Sequence, residues 1–241
     1  MTEPAARLAA GAVGAIVAAG GRGERFGAGV PKALVRLAGE PLVVHACRAL
    51  RAAGVGEVVV AAPAERVDEV AQLVAPARVV AGGATRTASV RRALATLSPG
   101  VEIVLVHDAA RALAPPSLVE RVVAAVAAGA PAVVPVLPVT DTMKSVDDAG
   151  VVTATVDRAS LRVVQTPQGF RRNVLAAAHE AAHAALGDDA DLSDDAGLVE
   201  RAGGRVETVA GSGEALKVTT PVDLLVAEAV LRERATGGVR S

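Results

Sequence analysis

The 241-residue chain has almost no aromatic residues and a single cysteine. It contains no Trp and no Tyr, and its two Phe residues are Phe26 and Phe170. Because proteins bind single-stranded nucleic acids by stacking bases on aromatic side chains, this composition argues against such a site. The formal net charge of −1 gives no overall basic field for nucleic acid. Cys47 cannot form an internal disulfide, so we expect a small core residue and a cytoplasmic protein.

Signals for membranes and for several catalytic classes are also missing. The apolar stretch after Arg7 resembles a secretory signal, but cleavage there would remove the first predicted strand. The uncharged stretch Val122–Val139 is interrupted by Gly129 and by three prolines, so it does not predict a membrane span. The motifs GxSxG, HExxH and CxxC are absent, which leaves covalent serine chemistry and a structural zinc site without support.

Lysine is rare, with three among the 25 basic residues. A compact point charge is what lysine offers and arginine does not. We therefore hypothesise that Lys32, Lys144 and Lys217 converge on one site.

Apolar strand-like runs alternate with helical patterns along the chain. This alternation predicts an α/β fold with a mostly parallel sheet and helices on both faces. We expect one domain over residues 12–236, with flexible tails at 1–11 and 237–241. The predicted strands are Val13–Ala18, Glu57–Ala62, Arg78–Ala81, Glu102–His107, Ala132–Val136, Arg162–Thr166 and Arg205–Val209. The predicted helices are Pro41–Ala53, Ala64–Val74, Arg86–Leu97, Pro116–Ala128, Arg171–Leu186, Ser193–Arg201 and Pro221–Ala235.

The segment Val139–Arg162 departs from this alternation. Two stretches with a two-residue period flank Asp147-Asp148-Ala149-Gly150, a composition typical of turns. The pattern predicts a β-hairpin inserted after the Ala132–Val136 strand. Because an isolated hairpin is marginally stable in water, we expect it to pack on something, and a second subunit is a good candidate.

A glycine-rich loop follows the first predicted strand. Glycines at 20, 21, 23, 27 and 29 alternate with Arg22 and Arg25, and Lys32 ends the loop. Glycines let backbone N–H groups approach an anion, and the cations add positive charge, so the loop predicts a nucleotide triphosphate site. The loop matches neither GxxxxGK[ST] nor GxGxxG. A simple surface turn and a dinucleotide fold remain as alternatives at this point.

Two other predicted strands also end in polar segments. Asp108 could accept a hydrogen bond from a ribose or help to hold a divalent cation, or it could cap a helix. His107 beside it fits a structural role as well as a catalytic one. The segment Gly82–Ser89 suits recognition of a base or sugar, and it equally suits a tight turn with a helix cap.

Several polar residues elsewhere carry a structural alternative. Thr142, Lys144 and Arg158 on the predicted hairpin could belong to a site or to a solvated surface. Lys217 precedes Thr219 and Thr220, one of which is expected to cap the last helix. The acidic run Asp188–Asp195 lacks the spacing of a calcium loop and is interpreted as a solvated loop with an acidic helix cap.

Eight motifs in order give the chain a family resemblance. They are AAGGRGERF…PK, GGATRTASV, VHDAAR, PVTDTMK, VDR, QTPQGF, SDDAGLVE and LKVTTPVDL. Together they resemble the 2-C-methyl-D-erythritol 4-phosphate cytidylyltransferases of the non-mevalonate isoprenoid pathway. The resemblance implies a Rossmann-like nucleotidyltransferase fold. It also implies a reaction of CTP with 2-C-methyl-D-erythritol 4-phosphate, in which the acceptor phosphate attacks the α-phosphorus in line and pyrophosphate leaves.

The resemblance further implies roles for individual residues. Arg25 and Lys32 correspond to stabilisers of the transition state, and Arg158 and Lys217 to the pair that positions the attacking phosphate. Thr142, Arg111 and Thr166 are expected on the acceptor side. The residues expected to bind CTP are Ala18, Ala19, Gly20, Gly21, Gly82, Gly83, Ser89, Asp108 and Ala109.

The resemblance gives partners and alternatives as well. Mg²⁺ is expected to be held mainly by the CTP phosphates, with no dedicated protein metal site. The hairpin is expected to embrace a second subunit and to complete its site, which makes a homodimer. A ribitol 5-phosphate cytidylyltransferase is the nearest alternative, and a nonenzymatic nucleotide sensor on the same fold is an alternative of a different class.

Overall fold

Eight strands form the main sheet of the computed structural model, which describes residues 11–21, 26, 31–187 and 192–237. They are β1 (Val13–Ala18), β4 (Glu57–Ala62), β5 (Arg78–Ala81), β6 (Ile103–Asp108), β7 (Ala132–Pro138), β10 (Arg162–Val164), β11 (Gln168–Arg171) and β12 (Glu207–Ala210). Their order is β10–β7–β11–β6–β1–β4–β5, and β12 also pairs with β7. Two short ribbons lie outside this sheet, β2 (Arg36–Leu37) with β3 (Glu40–Pro41), and β8 (Met143–Val146) with β9 (Val152–Val156).

Helices cover both faces of the sheet. They are α1 (Leu42–Ala52), α2 (Val67–Val74), α3 (Arg86–Leu94), α4 (Pro116–Ala127), α5 (Arg172–Leu186), α6 (Asp195–Arg201) and α7 (Pro221–Ala235). Alternate residues of each central strand face opposite cores: Leu105 packs with α1, α2 and α4, whereas Val104 and Val106 pack with α3, α5 and α6. The predicted α/β fold, a mostly parallel sheet between two helix layers, is therefore confirmed.

The parallel half of the sheet follows the sequence prediction closely. The strands β1, β4 and β5 have the predicted bounds, and β6 is shifted by one residue. The core thiol was also predicted correctly, because Cys47 is buried in α1 and burial raises its pKa to about 11. A thiol with that pKa is not a nucleophile at neutral pH.

The antiparallel strand β11 was not predicted. It lies between β6 and β7, and Phe170 at its centre is fully buried. Gly169 allows this close packing, since a Cβ atom there would lie 2.5 Å from a methyl group of Val122 on α4. The sequence of β11 has no apolar run, so its strand conformation depends on these tertiary contacts.

The predicted hairpin is present as β8 and β9, which we call the arm together with its turn. Asp147 Oδ1 closes the turn by accepting hydrogen bonds from the N–H groups of Ala149 and Val151. Residues 141–155 are all exposed. The apolar side chains of Met143, Val146 and Val152 are 41%, 58% and 56% exposed. The arm therefore has an apolar surface that is not covered within the described part of its own chain.

No helix within the described ranges is long and apolar enough to cross a membrane. The uncharged stretch Val122–Val139 is divided between the end of α4, a turn and β7, as its glycine and prolines predicted. The predicted flexible tails lie outside the described residues, apart from Gly11 and Gly237.

Candidate active site

The candidate site is a cavity of about 310 Å³ at the carboxyl ends of β1 and β6. The chain runs from β1 to β4 on one side and reaches β6 on the other, so the strand order reverses here. Open α/β sheets bind ligands at such a reversal. The lining residues are Ala18, Ala19, Gly20, Gly21, Lys32, Ala33, Ala84, Thr85, Arg86, Ser89, Asp108, Ala109, Ala110 and Lys217. A larger hollow of about 670 Å³ borders Arg51, Glu57 and Arg78 at the opposite edge, away from the carboxyl ends.

Gly20, Gly21 and Lys32 form one wall of this cavity. The Lys32 N–H donates to Gly21 O at 2.9 Å, and a short 3₁₀ helix begins at Lys32. A Cβ atom on Gly21 would lie 3.8 Å from Lys32 Cβ, so the lysine stem runs along the glycine. Lys32, which the sequence places at the end of the glycine loop, therefore lies against Gly21 near the start of that loop. Arg25, the other predicted cation of this wall, lies outside the described residues.

The segment after β5 forms the second wall and contains the tight turn and the helix cap that were one of its two interpretations. Thr85 caps α3 by accepting from the Ala88 N–H at 3.1 Å. Ser89 Oγ accepts from the Gly83 N–H at 2.9 Å and donates to Thr85 O at 2.8 Å. A Cβ atom on Gly83 would lie 2.5 Å from Ala88 Cβ, so this turn requires glycine. Gly82 and Gly83 support the wall from behind, whereas Ser89 lines the cavity.

Asp108 at the end of β6 is paired with cations on two sides. Its Oδ2 atom lies 2.7 Å from Lys217 Nζ, and its Oδ1 atom accepts from Arg86 Nε at 3.4 Å. Burial alone would raise the pKa of the Asp108 carboxyl, but Arg86 and Lys217 hold it well below its usual range. Asp108 is therefore an anion that connects two cations at the cavity floor, and it does not cap a helix.

Two contacts fix the segment that carries Lys217. The Val218 N–H donates to Ala110 O at 2.8 Å, and Val218 is fully buried. Thr220 caps α7, and the Asp223 carboxylate accepts from the N–H groups of Thr219 and Thr220 at 2.8 Å each. The predicted capping is confirmed. Lys217 thus extends from an anchored backbone, with its side chain 45% exposed.

Arg111 and Thr166 lie behind the cavity rather than on its wall. The Arg111 guanidinium donates to Ala215 O at 2.7 Å and to Val164 O at 3.1 Å. It thereby ties β10 to the Lys217 segment. Thr166 Oγ1 accepts from the Asp108 N–H at 3.0 Å and shares a 2.9 Å hydrogen bond with His107 Nδ1. His107 is fully buried, and this burial lowers its pKa to about 4, so the imidazole is neutral and structural.

The arm residues stand apart from the cavity within one chain. Thr142 is exposed before β8, and Arg158 is exposed after β9 with its guanidinium donating to Thr140 O. Lys144 Nζ donates to Thr155 Oγ1 at 2.6 Å and does not line the cavity. Lys32 and Lys217 therefore line the same cavity, as the convergence hypothesis predicted. Within one chain the hypothesis is wrong for Lys144, which does not line that cavity.

The sequence analysis missed a charged cluster behind the site. Arg86 lines the cavity, and its Nη1 atom donates to Asp195 Oδ2 at 2.6 Å. Asp195 Oδ1 in turn lies 3.0 Å from His179 Nε2. The solvated interpretation of the acidic run is wrong for Asp195, which is fully buried, where Arg86 pairs with it and His179 contacts it. Asp194 is the helix cap, since it accepts from the Gly197 N–H at 3.0 Å.

Comparison with known proteins identifies the family. The family model for 2-C-methyl-D-erythritol 4-phosphate cytidylyltransferase (IspD) matches residues 13–233. The protein of that name from Saccharopolyspora erythraea is 59% identical over 225 residues, covering 90% of this chain and 98% of the relative. The one from Frankia casuarinae is 55% identical over 221 residues, covering 91% and 81%.

Solved structures agree with this result. The cytidylyltransferase from Thermus thermophilus has a TM-score of 0.73 and 36% identity, covering 90% of this chain and 98% of its own. The 4-diphosphocytidyl-2C-methyl-D-erythritol synthase from Anaerococcus prevotii has a TM-score of 0.77 and 26% identity, covering 91% and 98%. The motifs of the sequence predicted this outcome. The chain belongs to the 2-C-methyl-D-erythritol 4-phosphate cytidylyltransferase family and is an enzyme of that activity.

Proposed function

We propose that this chain transfers CMP from CTP to 2-C-methyl-D-erythritol 4-phosphate by direct in-line displacement. The acceptor phosphate oxygen attacks the α-phosphorus, the bond from the α-phosphorus to the bridging oxygen breaks, and pyrophosphate leaves. The observation that carries the proposal is one cavity at the strand-order reversal that Lys32, Lys217 and Asp108 line together with Gly20 and Gly21. Two anions must meet in this reaction, so fixed positive charge is what the protein has to supply.

The two lysines divide this task. Lys32 lies beside the glycine loop, where it can neutralise charge on the α-phosphate and the departing pyrophosphate, together with Arg25. Lys217 is paired with Asp108, 2.7 Å from its carboxylate, and can hold the incoming phosphate. The two lysines thus have different neighbours in the cavity lining, Gly21 for Lys32 and Asp108 for Lys217, which supports a donor side and an acceptor side. No covalent nucleophile is required.

Mg²⁺ is proposed to be held chiefly by the triphosphate oxygens. Among the residues that the structure describes, no group of three His, Cys, Asp or Glu side chains could hold a metal ion. Asp108 is the only carboxylate among the described residues of the cavity wall, and two cations already face it. The ion would neutralise phosphate charge during the displacement.

We also propose that the arm completes the site of a second subunit. Thr142 and Arg158 flank the arm strands and do not line the cavity of their own chain. The arm is exposed over residues 141–155 and carries apolar side chains, as expected of a surface that a partner covers. We accordingly propose a homodimer of single-domain subunits (12–236) in the cytoplasm, with acceptor contacts supplied by residues 139–162.

A pyrophosphate-release assay tests the reaction. The enzyme is given CTP with 2-C-methyl-D-erythritol 4-phosphate, with ribitol 5-phosphate or with no acceptor. We expect release with the methylerythritol phosphate alone. Faster release with ribitol 5-phosphate would assign the alternative acceptor. CTP binding without release for either acceptor would favour a nucleotide sensor.

Mixing two inactive variants tests the shared site. Lys217→Ala removes a residue of the cavity and Arg158→Ala removes a residue of the arm, so a mixed dimer keeps one intact pair. After unfolding and refolding of an equal mixture, we expect about a quarter of wild-type activity, because half of the random dimers are mixed and each has one working site of two. A mixture as inactive as its components would contradict a site shared between subunits.

A further inference from the structure

A line of alternating cations and anions runs from Lys217 at the cavity to Asp195 in the interior between α3, α5 and α6, and the His179 imidazole contacts its inner end. Lys217 contacts Asp108, Asp108 contacts Arg86, Arg86 contacts Asp195, and Asp195 contacts His179. Each contact joins a different pair of elements. The line therefore connects the Lys217 segment to helices that do not themselves reach the cavity.

The inner end of this line is fully enclosed. Asp195 is 0% exposed and His179 is 1% exposed, and neither lines the cavity. Burying a carboxylate is costly, and an apolar pair of similar volume often serves stability equally well or better. Stability alone therefore does not explain the buried charge of Asp195. A requirement to hold its partner Arg86 in one orientation explains it.

Contacts fix both the backbone and the guanidinium of Arg86. Its backbone is fixed at the first turn of α3 by the Thr85 cap and by the Ser89 hydroxyl on Thr85 O. Its guanidinium faces two carboxylates with different nitrogens, Nη1 to Asp195 at 2.6 Å and Nε to Asp108 at 3.4 Å. The planar guanidinium can bridge two such groups at fixed directions, and a lysine ammonium cannot.

We propose that Arg86 is a positioning residue for cytidylyl transfer. Asp195 holds Arg86 from the interior, Arg86 holds the Asp108 carboxylate, and Asp108 holds Lys217 at the edge of the cavity. Arg86 thus acts on the reaction through Asp108 and not by binding the phosphates itself. The inference deepens the proposed function, because it rests on the role given there to Lys217.

A double-mutant cycle tests the proposal. Asp195→Asn removes the carboxylate that contacts Arg86 from the interior and leaves the cavity lining unchanged. Asp108→Asn removes the carboxylate between Arg86 and Lys217. We expect Asp195→Asn to lower kcat by about tenfold in the wild-type background, within the range for residues coupled in one network, and by less than about twofold in the Asp108→Asn background. The KM for CTP should stay within about twofold, since the glycine loop and α3 backbone are unchanged.

A second variant keeps the test decisive if Asp195→Asn does not fold. Arg86→Lys keeps the positive charge but cannot contact Asp108 and Asp195 at the same fixed directions. We expect it to lower kcat by about tenfold in the wild-type background and by less than about twofold in the Asp108→Asn background. The matched control is Arg172→Gln, because Arg172 is another partly buried arginine but binds backbone carbonyls at the opposite sheet edge. It should lower the unfolding temperature and leave kcat unchanged.

The outcomes separate this inference from the proposed function. Equal losses of kcat in both backgrounds, or wild-type kcat in Asp195→Asn and Arg86→Lys, overturn the positioning role. If Lys217→Ala itself retains wild-type activity, the proposed role of Lys217 fails instead. A loss of kcat in Arg172→Gln matching its loss of stability would show that the effect reports stability and not positioning, and would also overturn the proposal.

Discussion

The cavity at the carboxyl ends of β1 and β6 and the arm place polar and apolar groups in opposite ways. In the cavity, Asp108 is nearly buried and paired with Lys217 and Arg86. In the arm, residues 141–155 are exposed, and apolar side chains such as Val146 face solvent. The cavity is stabilised by contacts within the chain, whereas the arm presents a surface without such contacts. In the proposed homodimer, this difference would separate the half of the site that one chain builds from the half that a second chain supplies.

The largest effect is expected from removing a cavity lysine. Lys32→Ala or Lys217→Ala should lower kcat by about 10²–10³, or about 3–4 kcal/mol in transition-state free energy, because a preorganised cation at the phosphates is lost. The steady-state rate of pyrophosphate release at saturating substrates measures kcat. Arg48→Gln, which breaks an exposed ion pair with Glu40, is the control and should keep wild-type kcat. Wild-type turnover in the folded lysine variants would remove them from the reaction.

A smaller effect is expected from filling the turn behind the cavity. Gly83→Ala places a Cβ atom 2.5 Å from Ala88 Cβ, so the turn or α3 must shift. We expect a loss of about 3 kcal/mol in the free energy of unfolding, the upper part of the range for overpacking, and a raised KM for CTP. Gly100→Ala, with open space around the new Cβ, is the matched control in urea unfolding. Equal stability of the two variants would contradict the required close approach.

Truncating valines compares the two regions directly. Val106 in β6 is fully buried, so Val106→Ala should cost about 2 kcal/mol of unfolding free energy. Val146 in the arm is 58% exposed, so Val146→Ala should cost less than about 0.5 kcal/mol at concentrations where the chain is monomeric. If the arm is covered in a dimer, the Val146 variant should instead weaken dimerisation in sedimentation experiments. A large monomer destabilisation by Val146→Ala would show that the arm packs on its own chain.

The smallest expected effect concerns acid stability. Burial opposes ionisation of Asp108, but Arg86 and Lys217 lower its pKa below the unfolded value. A carboxyl with a lowered pKa stabilises the fold above the unfolded pKa, and that stability is lost as the pH falls through the folded value. The free energy of unfolding should therefore decrease below about pH 4, with a shallower decrease in Asp108→Asn. Urea unfolding from about pH 7 to about pH 2.5 measures the slopes, and equal slopes contradict the ion pairing.

The sequence was sufficient for the elements whose signal is local. The glycine loop with Lys32, the strand β1 and the cap at Thr220 depend on neighbouring residues, and all three were predicted. Phe170 and Asp195 were different, because their environments come from distant parts of the chain. Asp195 pairs with Arg86, a residue 109 positions earlier, so an acidic run looked solvated when one of its members is buried. Family resemblance supplied the expected roles of Arg158 and Thr142, which no local pattern indicates.

The attachment of Lys217 has a consequence for shortened forms of the chain. The last strand of the main sheet ends at Ala210, and Lys217 and α7 follow it. A chain cut after Ala210 would keep the residues of all eight strands, including Asp108, but it would lose Lys217 and the Val218 N–H that joins this segment to Ala110 O. The ion pair between Lys217 and Asp108 therefore depends on a segment that follows the whole sheet in the chain.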